Sequence, residues 1–372
     1  MRFQHVLARC LPSWLFVAAS LAGLSSAHGA EATTTFKRGV NISNWLSQNE
    51  AETPYAAPWF GEADVAWIRA QGFDHIRFPI DTRIWFKADG TLDEAKVAPF
   101  DRALGWVRRH RLGAILDVHF LEGADFNQDA RSDTRLYTDP ALLDRAARIW
   151  RVLATRYAKE GAYLRFELLN EPKAPENTQL NGFNARMLAA IRESNPTRVV
   201  YFPVNRWNTI PNLGDLALPA NDPNVAVTVH FYEPLVFTHQ RVPWVYPAAI
   251  AARTPAIIFP GVVPNLRDSM ENVRKQNPGS GQMLSVEHDI APIFAQLAAW
   301  AKTKGAGREI LLGEFGVYKL VPGDSAIRWI RAVRQAAERA GCGWTVWDYC
   351  NDFPVRQRDG TPAPALEGLF KD

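Results

Sequence analysis

Eight short runs rich in β-branched and aromatic residues punctuate this chain, at 36–42, 75–80, 114–120, 164–171, 199–204, 225–232, 310–317 and 344–349. Amphipathic segments fall between them at about 61–71, 96–111, 139–160, 177–194, 288–304 and 323–340. Strands alternating with helix-length crossovers make a parallel sheet covered by helices, because a tight turn cannot join parallel neighbours. Eight such units predict an α/β fold of the (β/α)8 type, a TIM barrel in one domain. A chain of 372 residues holds a barrel of about 250 residues with room for insertions. The segment 139–160 shows the logic: Asp139-Pro140 starts a helix, apolar positions recur from Leu142 to Tyr157, and Gly161 ends it. The fifth strand has no clear helix after it, and little chain follows the eighth.

The first residues read differently. Met1-Arg2 and Arg9 precede the apolar run Leu15 to Leu24, and Ala27-His28-Gly29 supplies small residues at the −3 and −1 positions. This is the pattern of a secretory signal over 1–29, leaving 30–372 as the folded domain. An apolar run this short does not span a bilayer, and nothing later is long or apolar enough, so no stable membrane anchor is expected. The expected product is secreted or periplasmic, and monomeric. The formal charge is +3, and Arg2 and Arg9 lie in the leader, so no nucleic-acid partner is expected. Cys10 also falls in the leader. Cys342 and Cys350 would sit about 25 Å apart if the run between them were fully extended. A disulfide therefore needs a turn after Trp347, and bridged and free thiols both stay open. No closely spaced Cys/His cluster suggests structural zinc, and no cofactor is expected.

In a barrel, polar residues at the C-terminal ends of strands carry the functional signal. Here the second run holds Arg77, the third ends Asp117-Val118-His119-Phe120, and the fourth ends Asn170-Glu171-Pro172. The sixth ends His230-Phe231-Tyr232, the seventh holds Gly313-Glu314-Phe315-Gly316, and the eighth holds Trp347-Asp348-Tyr349. Any one strand-end glutamate is more often a solvated or paired carboxylate than a catalyst. Two of them, Glu171 and Glu314, surrounded by Arg, His, Asn, Tyr and Trp, match the needs of glycosidic bond cleavage. One carboxyl protonates the leaving oxygen, the other attacks or stabilises the anomeric carbon, and an aromatic face packs on the sugar.

The ordered set Arg-Gly-Val-Asn (38–41), His-Ile-Arg-Phe-Pro (75–79), Asp-Val-His (117–119), Phe-Glu-Leu-Leu-Asn-Glu-Pro (166–172), His-Phe-Tyr (230–232), Leu-Gly-Glu-Phe-Gly (312–316) and Trp-Thr-Val-Trp (344–347) resembles glycoside hydrolase family 5, the cellulase-type barrel glycosidases. The resemblance runs from about Phe36 to Phe370. It implies that Glu171 is the general acid/base and Glu314 the nucleophile of a retaining double displacement, with the carboxyl groups about 5–5.5 Å apart. It further implies that Arg77 and Tyr232 favour the charged form of Glu314 and that His230 orients or tunes Glu171. Asn170 would bind the sugar 2-hydroxyl, His119 another hydroxyl, and Trp347 the sugar ring. The implied partner is a β-linked polysaccharide or oligosaccharide. Endo-cleavage of a β-1,4-glucan is the first choice; a β-1,3- or mixed-linkage glucan, or transfer of the glycosyl group to a sugar, is the second.

Other residues are open to competing readings. Glu167 reads as an interior partner for an arginine, with Asp117 related to His119 in the same way. Trp207 is the first choice for a leaving-side sugar platform among Trp45, Trp59, Trp85, Trp207 and Trp244. The proline-rich stretch 234–287 reads as a wall or lid of the substrate cleft, or as a structural insertion. Two functions of other classes stand beside glycoside hydrolysis: a non-catalytic carbohydrate-binding barrel, and a metal-dependent hydrolase drawing on His119 and Glu122.

Overall fold

The computed structural model describes residues 36–49, 54–126, 133–244, 255–264 and 281–372. The expected leader over 1–29 and parts of the 234–287 stretch lie outside them, and all the described residues fall within one compact unit, Thr34–Asp372. Eight parallel strands close a barrel: β1 (Arg38–Asn41), β2 (His75–Asp81), β3 (Gly113–Phe120), β4 (Leu164–Glu167), β5 (Val200–Pro203), β6 (Val225–His230), β7 (Ile310–Glu314) and β8 (Gly343–Val346). Each strand pairs with its neighbour in sequence, and β1 closes on β8 through Arg38 with Trp344 and Val40 with Val346. The expected (β/α)8 fold is the observed one.

Helices α1 (Glu62–Ala70), α2 (Glu94–Arg109), α3 (Pro140–Arg156), α4 (Asn177–Arg192), α5 (Ala291–Thr303) and α6 (Gly323–Arg339) form the outer ring. Their starts follow from local chemistry: Asp93 and Asp139 cap α2 and α3 by accepting from Ala95 N and Ala141 N, and Pro140 opens α3 where a missing N–H costs nothing. A short helix, α7 (Pro364–Phe370), follows β8, so the ring is completed by chain whose pattern is too brief to stand out. After β5 there is only a tight turn at Asn205–Asn208 and a 3₁₀ helix at Ile210–Asp215, which explains the missing helical period. Within the insertion, Leu235–Thr238 forms one helical turn, and Gly261–Val262 pairs antiparallel with Met283–Leu284. Phe259 anchors this segment to α6, accepting from Arg328 Nε at 2.7 Å and donating to Ser325 Oγ at 3.1 Å.

Inside the barrel, alternate residues of each strand point to the axis. Phe36, Ile115, Tyr201, Ala226 and Leu311 form an apolar cluster of their own, distinct from the main core between sheet and helices. Towards the strand ends the interior turns polar, with Asn41, Arg77, Asp117, Glu167, Thr228 and Thr345 all buried. A register shift between β6 and β7 pairs Val229 with Leu312 but His230 with Glu314, so Gly313 is an extra residue. That bulge reverses the alternation and turns Glu314 inward. Cys342 and Cys350 are buried, free thiols: the chain does not bring them into a bridge.

Candidate active site

Arg77, on β2, organises the polar end of the barrel. Its guanidinium is fully buried and donates to Glu167 through Nε and Nη2, both at 2.8 Å. Nη1 reaches Asn41 Oδ1 at 2.9 Å and Glu314 Oε1 at 2.8 Å, while Nη2 also reaches Asn170 Oδ1 at 2.9 Å and lies 3.0 Å from Asp117 Oδ2. A planar fork of five donors suits this task, and a lysine could not match it. Glu167 is thus the interior partner of an arginine, and Asp117 holds His119 Nδ1 at 2.7 Å as well.

Glu314 receives a second donor, Tyr232 Oη at 2.9 Å. Glu171, at the start of the β4 loop, is approached instead by His230 Nδ1 at 2.8 Å. The ligand atoms of Glu171, His230 and Glu314 lie within 4.8 Å of one another. Glu171 has a left-handed backbone, φ 43°, a conformation that costs a non-glycine residue about 1–3 kcal/mol and gathers at functional sites. Trp347, just beyond β8, lies parallel to the His119 ring at 5.6 Å with an interplanar angle of 8°. The fold therefore brings Arg77, His119, Asn170, Glu171, His230, Tyr232, Glu314 and Trp347 to the C-terminal mouth of one barrel.

Burial and charge divide the two carboxyls. Glu171 is held well above the ordinary carboxyl value, first by burial and then by the neighbouring Glu314 charge. Burial raises Glu314 too, but Arg77 pulls it back and Tyr232 donates to it. Since close carboxyls do not both ionise easily, the proton they compete for belongs on Glu171, whose one described donor is a neutral imidazole. Burial keeps both histidines uncharged: His119 falls to about 3, and His230 lies well below the ordinary value. Such a pair can deliver a proton from one side and present an anion from the other.

Trp207 is held at the edge of this group by residues next to it. Its indole N–H donates to Phe126 O at 2.7 Å, and Lys173 Nζ sits 5.0 Å from the ring centroid. Trp244 is 58% exposed and packs edge-on against Tyr318. Glu122 pairs with Arg145 at 3.1 Å, so the described geometry does not bring it to His119 as a ligand set. Sequence reading passed over two members of the polar network. Asn41 ties Arg77 to β7 and β8 by donating to Gly313 O and Val346 O, at 3.0 and 3.2 Å. Asn208 donates to His230 from the β5 turn. Asn41 had a signal in the Arg-Gly-Val-Asn motif; Asn208 had none, because its role depends on a turn with no periodic pattern.

A closed parallel barrel with two unequal carboxyls, a buried arginine and an aromatic ring at its C-terminal mouth defines a glycoside hydrolase of the barrel type. The cellulase model, glycosyl hydrolase family 5, matches residues 37–353, and the chain belongs to that family. Endoglucanase C of Acetivibrio thermocellus is 32% identical over 343 residues, covering 88% of this chain and 95% of the relative. The clostridial cellulose synthase subunit Z of Clostridioides difficile superposes with a TM-score of 0.73 at 26% identity, covering 91% of this chain and 100% of that one. A hyperthermophilic endo-β-1,4-glucanase solved with substrate gives a TM-score of 0.71 at 26% identity, covering 91% and 98%.

Proposed function

We propose that this chain is an exported endo-β-1,4-glucanase that retains anomeric configuration, with Glu171 as acid/base and Glu314 as nucleophile. The observation that carries the mechanism is the close approach of the two carboxyls, whose ligand atoms lie within 4.8 Å. So close an approach of one oxygen from each supports direct attack by a carboxylate, since inverting pairs leave a wider gap, roughly 6.5–9.5 Å, to admit a water. Glu314 Oε attacks the anomeric carbon as the bond to the leaving oxygen breaks, and Glu171 gives its proton to that oxygen. Deprotonated Glu171 then takes a proton from water, which displaces Glu314 and frees the sugar. Asn170, fixed by Arg77, would hold the 2-hydroxyl, His119 another hydroxyl of the same sugar, and Trp347 its ring. Trp207, in the β5 turn, remains the proposed leaving-side platform. The relatives named as endoglucanases support a β-1,4-glucan, and the 1–29 pattern supports export to the periplasm or medium.

The test is an assay of purified protein on β-1,4-, β-1,3- and mixed-linkage glucans and mannan, with and without chelator, beside Glu171→Gln and Glu314→Gln. Expected are internal cuts in β-1,4-glucan, first products of retained configuration by NMR, no effect of chelation, and activity reduced by roughly 10³ or more in each variant. Full activity in either variant sinks the assignment. Chelator sensitivity would point to a metal-dependent hydrolase, binding without turnover to a carbohydrate-binding barrel, and preference for β-1,3 linkages or transfer products to the other substrate choice. Glu314→Ala should regain bond formation from an α-glycosyl fluoride, and Glu171→Ala should retain turnover only with good leaving groups; the reverse pattern would exchange the two roles.

A further inference from the structure

We propose that Asn208 is a positioning residue that fixes the tautomer of His230 and thereby keeps the transferable proton of Glu171 aimed at the substrate. This rests on Glu171 acting as the acid/base. A backbone amide can only donate. Val204 N–H lies 3.2 Å from Asn208 Oδ1, so the oxygen of that side chain is the atom facing Val204. The nitrogen, Asn208 Nδ2, therefore faces His230 Nε2, at 3.2 Å, and it too can only donate. Nε2 must offer a lone pair, so the neutral ring carries its hydrogen on Nδ1 and donates it to Glu171 Oε1 at 2.8 Å.

The consequence reaches the reacting proton. With Oε1 occupied as an acceptor, a protonated Glu171 carries its hydrogen on Oε2, free for the leaving oxygen. In the opposite tautomer Nδ1 would be an acceptor, and Glu171 would spend its proton on the histidine. A Cβ on Gly313 would stand 3.2 Å from His230 Nε2, and the glycine leaves the approach of Asn208 clear.

The fold holds Asn208 with unusual care. Arg206, Trp207 and Asn208 are successive left-handed residues, with φ of 55°, 61° and 55°. Asparagine tolerates that region better than most residues, but three in a row need anchoring. The anchors run to the loop that carries Glu171: Trp207 N donates to Pro172 O at 3.3 Å, and Asn205 Oδ1 accepts from Ala174 N at 2.9 Å. Asn208 N donates back to Val204 O at 3.1 Å. The donor to His230 and the carboxyl that His230 serves are thus tied to one rigid junction of the β4 and β5 loops.

Histidine-selective ¹⁵N NMR on the whole protein reads the tautomer directly. The expected wild-type signature is a protonated Nδ1 and an unprotonated Nε2 at His230. Asn208→Asp, nearly the same shape, puts an acceptor opposite Nε2 and should bring a proton there. A wild-type Nε2 that is already protonated, or an unchanged spectrum in Asn208→Asp, overturns the proposal. Kinetics supply the second readout. Asn208→Ala and Asn208→Asp should lose about tenfold in kcat/KM on unactivated cello-oligosaccharides, a part of what general acid catalysis supplies. On a dinitrophenyl cellobioside, whose leaving group needs no proton, kcat/KM, which reports the first displacement alone, should stay within about twofold. Equal loss on the two substrates would mean a merely structural role and defeats the idea. Should the alanine variant not fold, the aspartate variant alone carries both readouts. A protein with the expected tautomer and no turnover on any glycan would sink the functional reading and the aiming role with it, whereas normal turnover with the opposite tautomer would sink the Asn208 proposal alone.

Discussion

Arg77 is one cation facing more carboxyls than it can neutralise. Asp117, Glu167, Glu171 and Glu314 crowd the same buried volume, and His119 and His230 are kept neutral by burial. Burial therefore pushes Asp117 up to about 7 and Glu167 up to about 6, even with Arg77 opposing it. Replacing Arg77 by methionine leaves those carboxyls uncompensated, a change that costs roughly 3–5 kcal/mol when one partner of a buried ion pair is removed. The expected melting-temperature loss is larger at pH 8 than at pH 5, because protonated carboxyls need no cation. A loss independent of pH would count against the charge argument. Glu171 makes a second pH prediction. Its raised value means the acid form persists beyond the usual carboxyl range and is lost as pH rises through the folded value. The alkaline limb of kcat/KM on unactivated cello-oligosaccharides should therefore lie well above pH 4.5, and it should be missing on a dinitrophenyl glycoside, which needs no acid; a limb near the ordinary carboxyl value would refute this. Most residues of the network were legible because each sits at a strand end in a short motif. Asn208 was not, since its neighbours in sequence carry no hint that three left-handed residues will swing it under His230.

At the scale of elements, α3 was readable from its caps and apolar period and α6 from its amphipathic pattern, whereas strand ends were overextended. The apolar runs suggested strands to Glu171, Tyr232, Val317 and Tyr349, but the regular ladders stop at Glu167, His230, Glu314 and Val346. Most of the residues beyond stay buried, with Glu171 and Tyr232 partly so, and they make isolated backbone bonds, such as Asn170 N to Val118 O at 3.0 Å and Trp347 N to Phe315 O at 2.9 Å. Burial is what a sequence pattern reports, so it runs on past the point where regular pairing ends. The same mouth explains Gly316. A Cβ there would come 2.0 Å from the backbone oxygen of Trp347, and neither backbone can yield without moving the residue that packs on His119. Gly316→Ala should cost about 1–3 kcal/mol, the range for forced overpacking, and should lower kcat on every substrate. Thermal melts and kinetics together check it, and wild-type values in both would show that the loop yields more easily than the geometry implies.

For the molecule as a whole, closing the barrel leaves a seam where β1 meets β8, and the covering helix there is the short α7. Its residues Ala365, Leu366 and Leu369 are buried against the barrel and α6, and Phe370 meets Phe73 at 5.0 Å and Trp344 at 6.1 Å in edge-on contacts. Phe73 precedes β2, so this contact lies at the N-terminal end of the barrel, opposite the carboxyls. In barrel enzymes that end serves stability and the other serves chemistry. Deleting 364–372 removes two buried leucines, worth about 1.5–3 kcal/mol each, together with the partly buried Phe370 ring. That sum is comparable with the ~5–15 kcal/mol that holds a typical protein folded, so the truncated chain should not yield a stable barrel at 37 °C. Phe370→Ala removes only the partly buried ring and should cost about 2 kcal/mol, below the range for fully buried phenylalanines. Its melting temperature should fall while kcat and KM per folded molecule stay at wild-type values, measured below the transition. A change in KM without loss of stability would mean that the seam communicates with the mouth, and the division of the barrel into a stabilising and a reacting end would fail for this protein.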